Sequence, residues 1–429
     1  MNDLSKISIL LMSMIVVNLN GCRSPKSLSE RNTQIHDRVL TVDAHIDWPI
    51  KQFFNPDFDP GIKNVLDRHN SGQWDLVRMR EGGLDAVFMS IFTPQKQRTK
   101  QGHDRAQKIA LKQIELTKKM VADNSELAAI ALTPEDAYSL EKAGKRAIFM
   151  GMENGYPIAR DLNNVKLFFD LGIRYITITH SKNNELGDSS TDKQPEWGGL
   201  SPFGVEVVRE MNRLGMMVDV SHVHDETFWD VLELTKAPVI ASHSSARSLH
   251  DVPRNLSDEM LRAIAENGGV VQICLLDDFI KKIEQTPERE AALKQLEVET
   301  SAWLNGELSP AEAKKLREKY REIDAQYPKN RPTLADAIDH LDRMVQVMGI
   351  EHVGIGSDFD GGGGLVGIED VSQMPNITKE LLARDYTEEE IRQLWGGNLM
   401  RVFNEVILIA NQLQKSPNTN KQTRVTSNN

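Results

Sequence analysis

The sequence predicts an α/β fold, a (β/α)8 TIM-like barrel with a helical insertion after the seventh strand. Eight short apolar runs, rich in Val and Ile, alternate with helical patterns along the chain. Near-continuous apolar runs separated by helices are typical of a buried parallel sheet. Eight strand–helix units favour closure into a barrel, and a doubly wound open sheet is the main alternative.

The candidate strands are spread over most of the chain. They are Val39–Trp48, Leu84–Phe92, Arg146–Gly155, Tyr175–Ser181, Met217–Val223, Val239–Ser245, Gly269–Leu276 and His352–Asp358. Helical patterns between them cover Asp104–Val121, Glu206–Leu214 and Asp258–Glu266. The last of these helices follows Ser257, a good N-cap, and ends at Asn267-Gly268.

The bulk composition is that of a soluble globular protein. The chain has 429 residues, of which 40% are hydrophobic and 26% charged. Barrels run from about 250 residues to beyond 400 with insertions, so one domain accounts for this length. The net charge of −11 argues against nucleic acid as a partner, because such binding depends on basic patches that neutralise phosphates.

The N-terminal segment predicts export. The apolar run Ile7–Leu19 is too short for a confident membrane span and fits the core of a secretory signal. Leu19-Asn20-Gly21-Cys22 resembles a bacterial lipobox, so residues 1–22 are expected to be a lipoprotein signal peptide. The protein would then be lipid-anchored to a membrane of the bacterial cell envelope. The alternative is an ordinary cleaved signal, which leaves the protein periplasmic or secreted.

The remaining organisation follows from composition. Residues 23–35 are polar and predict a tether, residues 36–414 the barrel domain, and residues 415–429 a disordered tail. Ser181–Leu200 predicts a long polar loop after the fourth strand. The charged segment 277–336 predicts solvated helices after the seventh strand, either as surface decoration or as a lid.

Ionisable residues fall at the C-terminal ends of the candidate strands. In a barrel these ends converge on one face, where active sites are built. A single His at a strand end is more often structural, but the joint pattern favours a site. The residues are His45, Asp47, Glu153, His180, His222, His243 and Asp358.

This set of side chains suits a metal. The only cysteines are Cys22 and Cys274, so a metal site must rest on His, Asp and Glu. His45 and Asp47 are two residues apart, which places both on one side of a strand. His222 is preferred to His224 because it is closer to its strand. Such donors suit zinc or a similar first-row metal, and two ions sharing Glu153 would use them all.

Two further signals are weaker. The run Gly361–Gly364 follows Asp358 but lacks the Lys-Ser/Thr of a phosphate-binding loop, so we expect a flexible loop at the rim. Arg254 follows the sixth candidate strand. Most arginines are surface charges, yet one at the mouth of the barrel can hold a substrate carboxylate with two hydrogen bonds.

With these residues laid out, the sequence resembles the membrane dipeptidase (renal dipeptidase) family of zinc peptidases. The resemblance spans roughly residues 40–405 and rests on the order and spacing of several segments. They are VDAHIDWP, GMENG, RYITITHSKNN, GMMVDVSHV, ASHSSARSL, VPRN, VGIGSDFDG and WGGNLMRVF.

The resemblance implies a binuclear zinc site with assigned roles. His45 and Asp47 would hold one ion, His222 and His243 the other, and Glu153 would bridge them. His180 would contact the substrate and steady the oxyanion, Arg254 would bind the C-terminal carboxylate, and Asp358 would carry the proton to the leaving amine. The sequence departs from the family at Asn154 and Tyr156, where Gly and His are frequent, and in the length of the insertion.

The implied activity is that of a zinc-dependent dipeptidase. A metal-bridging hydroxide would attack the peptide bond of L-L dipeptides, or of dipeptides with a D residue in second place. One alternative is a related amidohydrolase acting on another small amide or a lactone. Another is a lipoprotein that binds peptides without turnover, against which the complete ligand set argues. The oligomeric state is left open, with a homodimer among the alternatives.

Overall fold

The computed structural model describes residues 34–64, 72–304 and 308–415. The expected signal peptide and nearly all of the expected tether and tail lie outside the described residues. Within the described ranges, no helix has the length and apolar character needed to cross a membrane. Ile35 is buried, so the packed part of the chain begins slightly before residue 36.

One parallel sheet of nine strands organises the chain, in the order β1-β2-β4-β5-β6-β7-β8-β9, with β3 attached to β4. The strands are β1 (Val42–Ile46), β2 (Ala86–Phe92), β3 (Ala128–Ile130), β4 (Arg146–Glu153), β5 (Ile173–Thr177), β6 (Met217–Asp219), β7 (Ile240–Ser244), β8 (Val270–Cys274) and β9 (Val353–Gly356).

The ends of the ordered path meet and close a barrel of eight strands. Immediately after β9, the Asp358 amide donates to the His45 carbonyl at 3.0 Å. The Asp47 amide donates to the Phe359 carbonyl at 2.8 Å. The predicted (β/α)8 fold is therefore confirmed, and each of the eight predicted strands overlaps one barrel strand.

The ninth strand, β3, was not predicted. It has only three residues and pairs with β4 alone, through Ala128–Arg146, Ala129–Ala147 and Ile130–Ile148. So short a segment has no periodicity that distinguishes it from a loop. Because of β3, the seventh strand of the barrel is β8.

Sixteen α-helices are described, and those between strands cover the outside of the barrel. They are α1 (Trp48–Phe54), α2 (Leu76–Glu81), α3 (Lys100–Asp123), α4 (Pro134–Lys142), α5 (Asn163–Asp170), α6 (Pro202–Leu214), α7 (Asp225–Leu234), α8 (Asp258–Glu266), α9 (Asp277–Ile280), α10 (Pro287–Lys294), α11 (Glu297–Leu304), α12 (Pro310–Gln326), α13 (Leu334–Met348), α14 (Pro375–Ala383), α15 (Glu388–Arg392) and α16 (Asn398–Lys415).

Alternation along the strands separates two apolar layers. In β2, Ala86 and Phe88 belong to the cluster inside the barrel, whereas Val87 and Met89 belong to the layer beneath the outer helices. This is the period of two expected of a strand that is buried on both faces. Phe403 of α16 packs edge-on against Phe88, with ring centroids 6.4 Å apart, and extends the inner cluster.

The insertion after β8 forms α9 to α12. It folds largely on itself, since Arg289 of α10 pairs with Asp324 of α12 and Thr300 of α11 hydrogen-bonds to Tyr320 at 2.7 Å. At its end, Arg331 pairs with Asp277 at 3.0 Å, so the insertion leaves and rejoins the barrel at one place. The predicted boundary at Asp336 is too late, because α13 packs on α8 as a helix of the barrel.

The polar segment Ser181–Leu200 is irregular but ordered around one buried carboxylate. Asp188 accepts hydrogen bonds from the amides of Trp197 at 3.0 Å, Gly198 at 2.7 Å and Gly199 at 3.1 Å. The loop therefore has its own polar core, which explains its composition and fixes the chain that follows His180.

Candidate metal centre

The carboxylate of Glu153, the last residue of β4, lies at the centre of the site. Its Oε1 is 3.1 Å from Nε2 of His222, 3.5 Å from Nε2 of His180 and 3.6 Å from Nε2 of His243. Its Oε2 is 3.5 Å from Nε2 of His45. One buried carboxylate thus touches four imidazoles that come from four different strand ends.

The predicted residues come together in three overlapping groups. Within each group the candidate ligand atoms lie within 4.8 Å of one another. Glu153 belongs to two of the three groups, and His45 also belongs to two of the three. The groups are His45, Glu153 and His243; Glu153, His180 and His222; and His45, Asp47 and Asp358.

Several buried polar atoms of the cluster lack a hydrogen-bond partner among the described residues. They include Nε2 of His45 and Oδ1 of Asp47, both of which can bind a cation. An unsatisfied buried polar atom costs about 1–3 kcal/mol, and a bound metal removes that cost. Nε2 of His222 also faces Nε2 of His243 at 2.8 Å. The residues therefore fit a metal centre of His and carboxylate donors.

The surroundings of the two facing imidazoles favour their neutral form, which is the form that binds a metal. Burial lowers the pKa of His222 well below its usual value, and the positive charge of Arg254 lowers it further. Burial likewise lowers the pKa of His243, and the neighbouring charges of His45 and Arg254 add to the effect. Each ring can therefore offer a lone pair to a cation.

Tyr175 sets the orientation of His45. The tyrosine hydroxyl donates to the Ala44 carbonyl at 3.2 Å and lies 2.9 Å from Nδ1 of His45. The hydroxyl therefore accepts the Nδ1 proton, which leaves Nε2 free to face Glu153. Burial alone would lower the pKa of His45, but Tyr175 and the negative charges of Asp47 and Glu153 raise it well above its usual value. That negative field equally favours a bound cation.

Asp219 performs the corresponding task for His243. Ser242 donates its hydroxyl to Oδ2 of Asp219 at 2.6 Å and lies 2.8 Å from Nδ1 of His243. Ser242 thus accepts the Nδ1 proton and leaves Nε2 for a ligand. Oδ1 of Asp219 accepts the amides of Ser221 at 3.0 Å and Ser242 at 2.9 Å.

Asp43 repeats this arrangement at the closure of the barrel. Its Oδ1 accepts the amides of His45 at 3.1 Å and Ser357 at 2.9 Å. Sequence reasoning missed Tyr175, Asp219 and Asp43. A signal existed for the two aspartates, since each is a charge inside an apolar strand. Tyr175 had no such signal, because an aromatic residue in a strand is ordinarily core.

Irregular pairing helps aim the ligands. The register shifts between Asp43 and Ile46 in β1 and between Ala241 and Ser244 in β7, the intervals that contain His45 and His243. Such irregularities redirect side chains next to active sites. β1 ends at Ile46, so Asp47 reaches His45 from the turn into α1, with Oδ2 3.4 Å from Nε2, and not as a strand neighbour as predicted.

Asp358 and Asp47 enclose Gly361. A Cβ at this glycine would lie 2.1 Å from Oδ1 of Asp358 and 2.1 Å from Oδ2 of Asp47. The amides of Gly361, Gly362 and Gly363 all donate to the Asp358 carbonyl, at 3.1, 3.1 and 2.7 Å. The glycine run expected as a loop at the rim therefore forms a tight turn. Burial and the charge of Asp47 raise the pKa of Asp358 well above its usual value.

Three residues of the site adopt left-handed backbone conformations. They are Asn154 with φ 79°, His222 with φ 68° and Asp358 with φ 59°. Such strain concentrates at functional sites. Asn is among the non-glycine residues that tolerate this region best, so Asn154 preserves the backbone conformation that glycine adopts freely.

His180 and Arg254 complete the rim. The side chain of His180 is 27% exposed, against 5% for Glu153, so His180 faces the opening. Arg254 is buried and donates to the His243 carbonyl at 3.1 Å, while its Nε finds no partner within the described part of the chain. His224 lies apart from the described clusters and accepts the Glu226 amide at the start of α7.

Comparison with known proteins agrees with this geometry. The profile of the family described as "Membrane dipeptidase (Peptidase family M19)" matches residues 29–417. The chain belongs to the membrane dipeptidase family. It is therefore a metal-dependent peptidase, and its buried His and carboxylate cluster is the candidate metal centre of a family member.

Relatives and solved structures cover nearly the whole chain. An uncharacterized dipeptidase of Schizosaccharomyces pombe is 34% identical over 92% of this chain and 87% of its own length. A probable dipeptidase from Pseudomonas aeruginosa superposes with a TM-score of 0.75 at 30% identity, covering 90% of this chain and all of that one. A metallopeptidase from Rhodobacter sphaeroides, solved with a phosphinate mimic of L-Ala-D-Ala, superposes with a TM-score of 0.67 at 25% identity, covering 86% and 99%.

Removing the Tyr175 hydroxyl tests whether this side chain orients His45. In Tyr175→Phe, Nδ1 of His45 loses its partner, so the ring is no longer fixed with Nε2 toward Glu153. We expect metal affinity to fall about 10- to 100-fold, as measured by competition with a chromogenic chelator.

Tyr156→Phe is the matched control for this change. Tyr156 is also fully buried, and its hydroxyl donates to the Gln97 carbonyl at 2.8 Å and to no candidate ligand. Its metal affinity should stay within about two-fold of the wild-type value. Equal losses in the two variants, or none in Tyr175→Phe, would show that Tyr175 does not orient His45.

Proposed function

We propose that this protein is a dipeptidase that holds two zinc ions and hydrolyses the peptide bond of dipeptides. The sharing of Glu153 among four imidazoles carries the proposal. His45 and Asp47 would hold one ion, His222 and His243 the other, and Glu153 would bridge them. When bound, the ions lower the pKa of water and polarise the carbonyl that is attacked.

Arg254 would confine the enzyme to short substrates with a free carboxylate. Its guanidinium is buried at the mouth, and Nε has no partner within the described ranges. A buried guanidinium with an unpaired donor suits a carboxylate, which it can bind with two parallel hydrogen bonds. This donor also favours a dipeptide over a neutral small amide or a lactone, the alternative substrates.

Asp358 and His180 would handle the proton and the developing charge. Water adds to the peptide carbonyl, the C–N bond breaks, and the nitrogen leaves with a proton carried by Asp358. His180 is the most exposed imidazole of the cluster and would steady the carbonyl oxygen as its charge develops. Asp358 belongs to the group with His45 and Asp47, whereas His180 belongs to the group with Glu153 and His222, so the two roles would fall to different groups of the site.

Substrate stereochemistry and location extend the proposal. The Rhodobacter sphaeroides neighbour carries a mimic of L-Ala-D-Ala, which supports dipeptides with a D second residue among the substrates, beside L-L dipeptides. The lipobox-like Leu19–Cys22 supports export and lipid anchoring to a bacterial cell envelope. Solution scattering would separate a monomer from a homodimer.

A substrate panel tests the proposed activity. Residues 23–429 with added zinc should cleave L-Ala-L-Ala or L-Ala-D-Ala and leave L-Ala-L-Ala-L-Ala and L-Ala-L-Ala amide nearly untouched.

Arg254→Gln should lower kcat/KM for the dipeptide about 30- to 1,000-fold, because it removes one partner of a buried ion pair, and should leave the slow rate on the amide unchanged. Amino-acid release by chromatography is the measurement. A folded, zinc-loaded protein that cleaves lactones or tripeptides but no dipeptide would contradict the proposal.

Asp358→Asn tests the proton role. The substitution preserves size and removes the titratable carboxylate, so we expect kcat to fall about 100- to 10,000-fold while both metal ions remain bound. Asp360→Asn is the matched control, because Asp360 is a buried aspartate two residues away that accepts the Gln73 amide at 3.1 Å. Stopped assays and elemental analysis give the rate and the metal content. Loss of zinc from Asp358→Asn would instead make Asp358 a metal ligand.

A further inference from the structure

The guanidinium of Arg254 lies on an aromatic ring that no motif of the sequence marked. Its Cζ is 4.9 Å from the ring centroid of Phe279, within the range of a cation–π contact. Arg254 is only 5% exposed, so the contact is shielded from water and correspondingly strong. Phe279 lies in α9, the first turn of the insertion after β8.

The contact with Phe279 restricts the guanidinium without using its hydrogen-bond donors. A cation–π contact acts through the charge of the group, so the N–H groups stay available for hydrogen bonds. One edge nitrogen donates to the His243 carbonyl at 3.1 Å, and Nε has no partner among the described residues. Phe279 therefore holds Arg254 in one orientation and leaves donors free for a ligand.

The backbone around Phe279 is fixed from two sides. Its carbonyl accepts Nδ2 of Asn255, the residue after Arg254, at 2.8 Å. The next carbonyl, of Ile280, accepts Nε2 of His340 at 2.9 Å, while Nδ1 of the same ring accepts the Ala246 amide at 3.2 Å. The backbone that carries the Phe279 ring is thus hydrogen-bonded both to the loop that carries Arg254 and, through His340, to the chain that follows His243.

We propose that Phe279 is a positioning residue for Arg254 and thereby a determinant of selectivity for substrates with a free C-terminal carboxylate. The proposal rests on the carboxylate role proposed above for Arg254. It assigns the start of the insertion a part in substrate binding, since α9 forms one wall of the carboxylate subsite.

The test compares two stacked Arg–Phe pairs of the same chain. Phe279→Leu should raise KM for L-Ala-L-Ala about ten-fold and leave kcat within about two-fold, because the ring acts on binding of the carboxylate. Phe279→Tyr should restore KM, since it keeps an aromatic face. The control is Phe169→Leu, which removes the ring 4.5 Å from Cζ of Arg174, at the opposite end of the barrel. Its KM should equal that of the wild type.

Two additional readouts separate positioning from general damage. Metal content should be unchanged in Phe279→Leu, and its slow rate on L-Ala-L-Ala amide, which lacks the carboxylate, should match the wild-type rate. An unchanged KM, a fall in kcat alone, or an equal loss on the amide would overturn the role of Phe279. If the wild-type enzyme cleaves no dipeptide, the proposed function fails first and the role of Phe279 fails with it.

Discussion

The burial of the Glu153 carboxylate among four imidazoles is the interaction on which the rest of this structure depends. A charge withdrawn from water is tolerated only where opposite charge or strong hydrogen bonds compensate it. Ser90 supplies a single hydrogen bond, at 3.1 Å to Oε2, and cations held between Glu153 and the rings would supply further compensating charge. The strained backbone at His222 and Asp358 and the tight turn at Gly361 are consistent with an arrangement that a bound metal stabilises.

Two buried aspartates near this centre, Asp43 and Asp219, accept the same pattern of backbone hydrogen bonds. An aspartate near the start of β1 and another at the end of β6 each bind two backbone amides through a single oxygen. One amide lies two residues ahead, and the other lies on a neighbouring strand or directly after it. Asp43 thereby joins the chain after β9 to β1, and Asp219 joins β6 to β7. Both aspartates lie directly beneath candidate ligands. These hydrogen bonds join neighbouring strands and also fix the backbone that carries His45, His222 and His243. The stability of the barrel mouth and the geometry of the site therefore depend on the same contacts.

Most of the fold and the candidate ligands could be predicted from the sequence because both depend on periodicity. Apolar runs reveal buried parallel strands, and a polar residue that ends such a run lies at the C-terminal face. What could not be predicted depends on contacts between distant segments. Tyr175 and Phe279 look like ordinary core residues, and only the folded chain places one beneath His45 and the other against Arg254. Gly361 is similar, since its lack of a side chain matters only because the carboxylates of Asp47, after β1, and Asp358, after β9, both approach it. The short β3 was missed because it has no pattern of its own. The end of the insertion was placed too late, although Thr333 and Asp336 form a capping box at the start of α13.

The most direct test of the central claim is anomalous diffraction at the zinc edge from crystals of the zinc-loaded protein. Two peaks are predicted at the mouth of the barrel, each about 2.0–2.2 Å from one oxygen of Glu153, with His45 and Asp47 on one ion and His222 and His243 on the other. A single peak, a pair of ions that Glu153 does not bridge, or ligation by His224 in place of His222 would contradict the account.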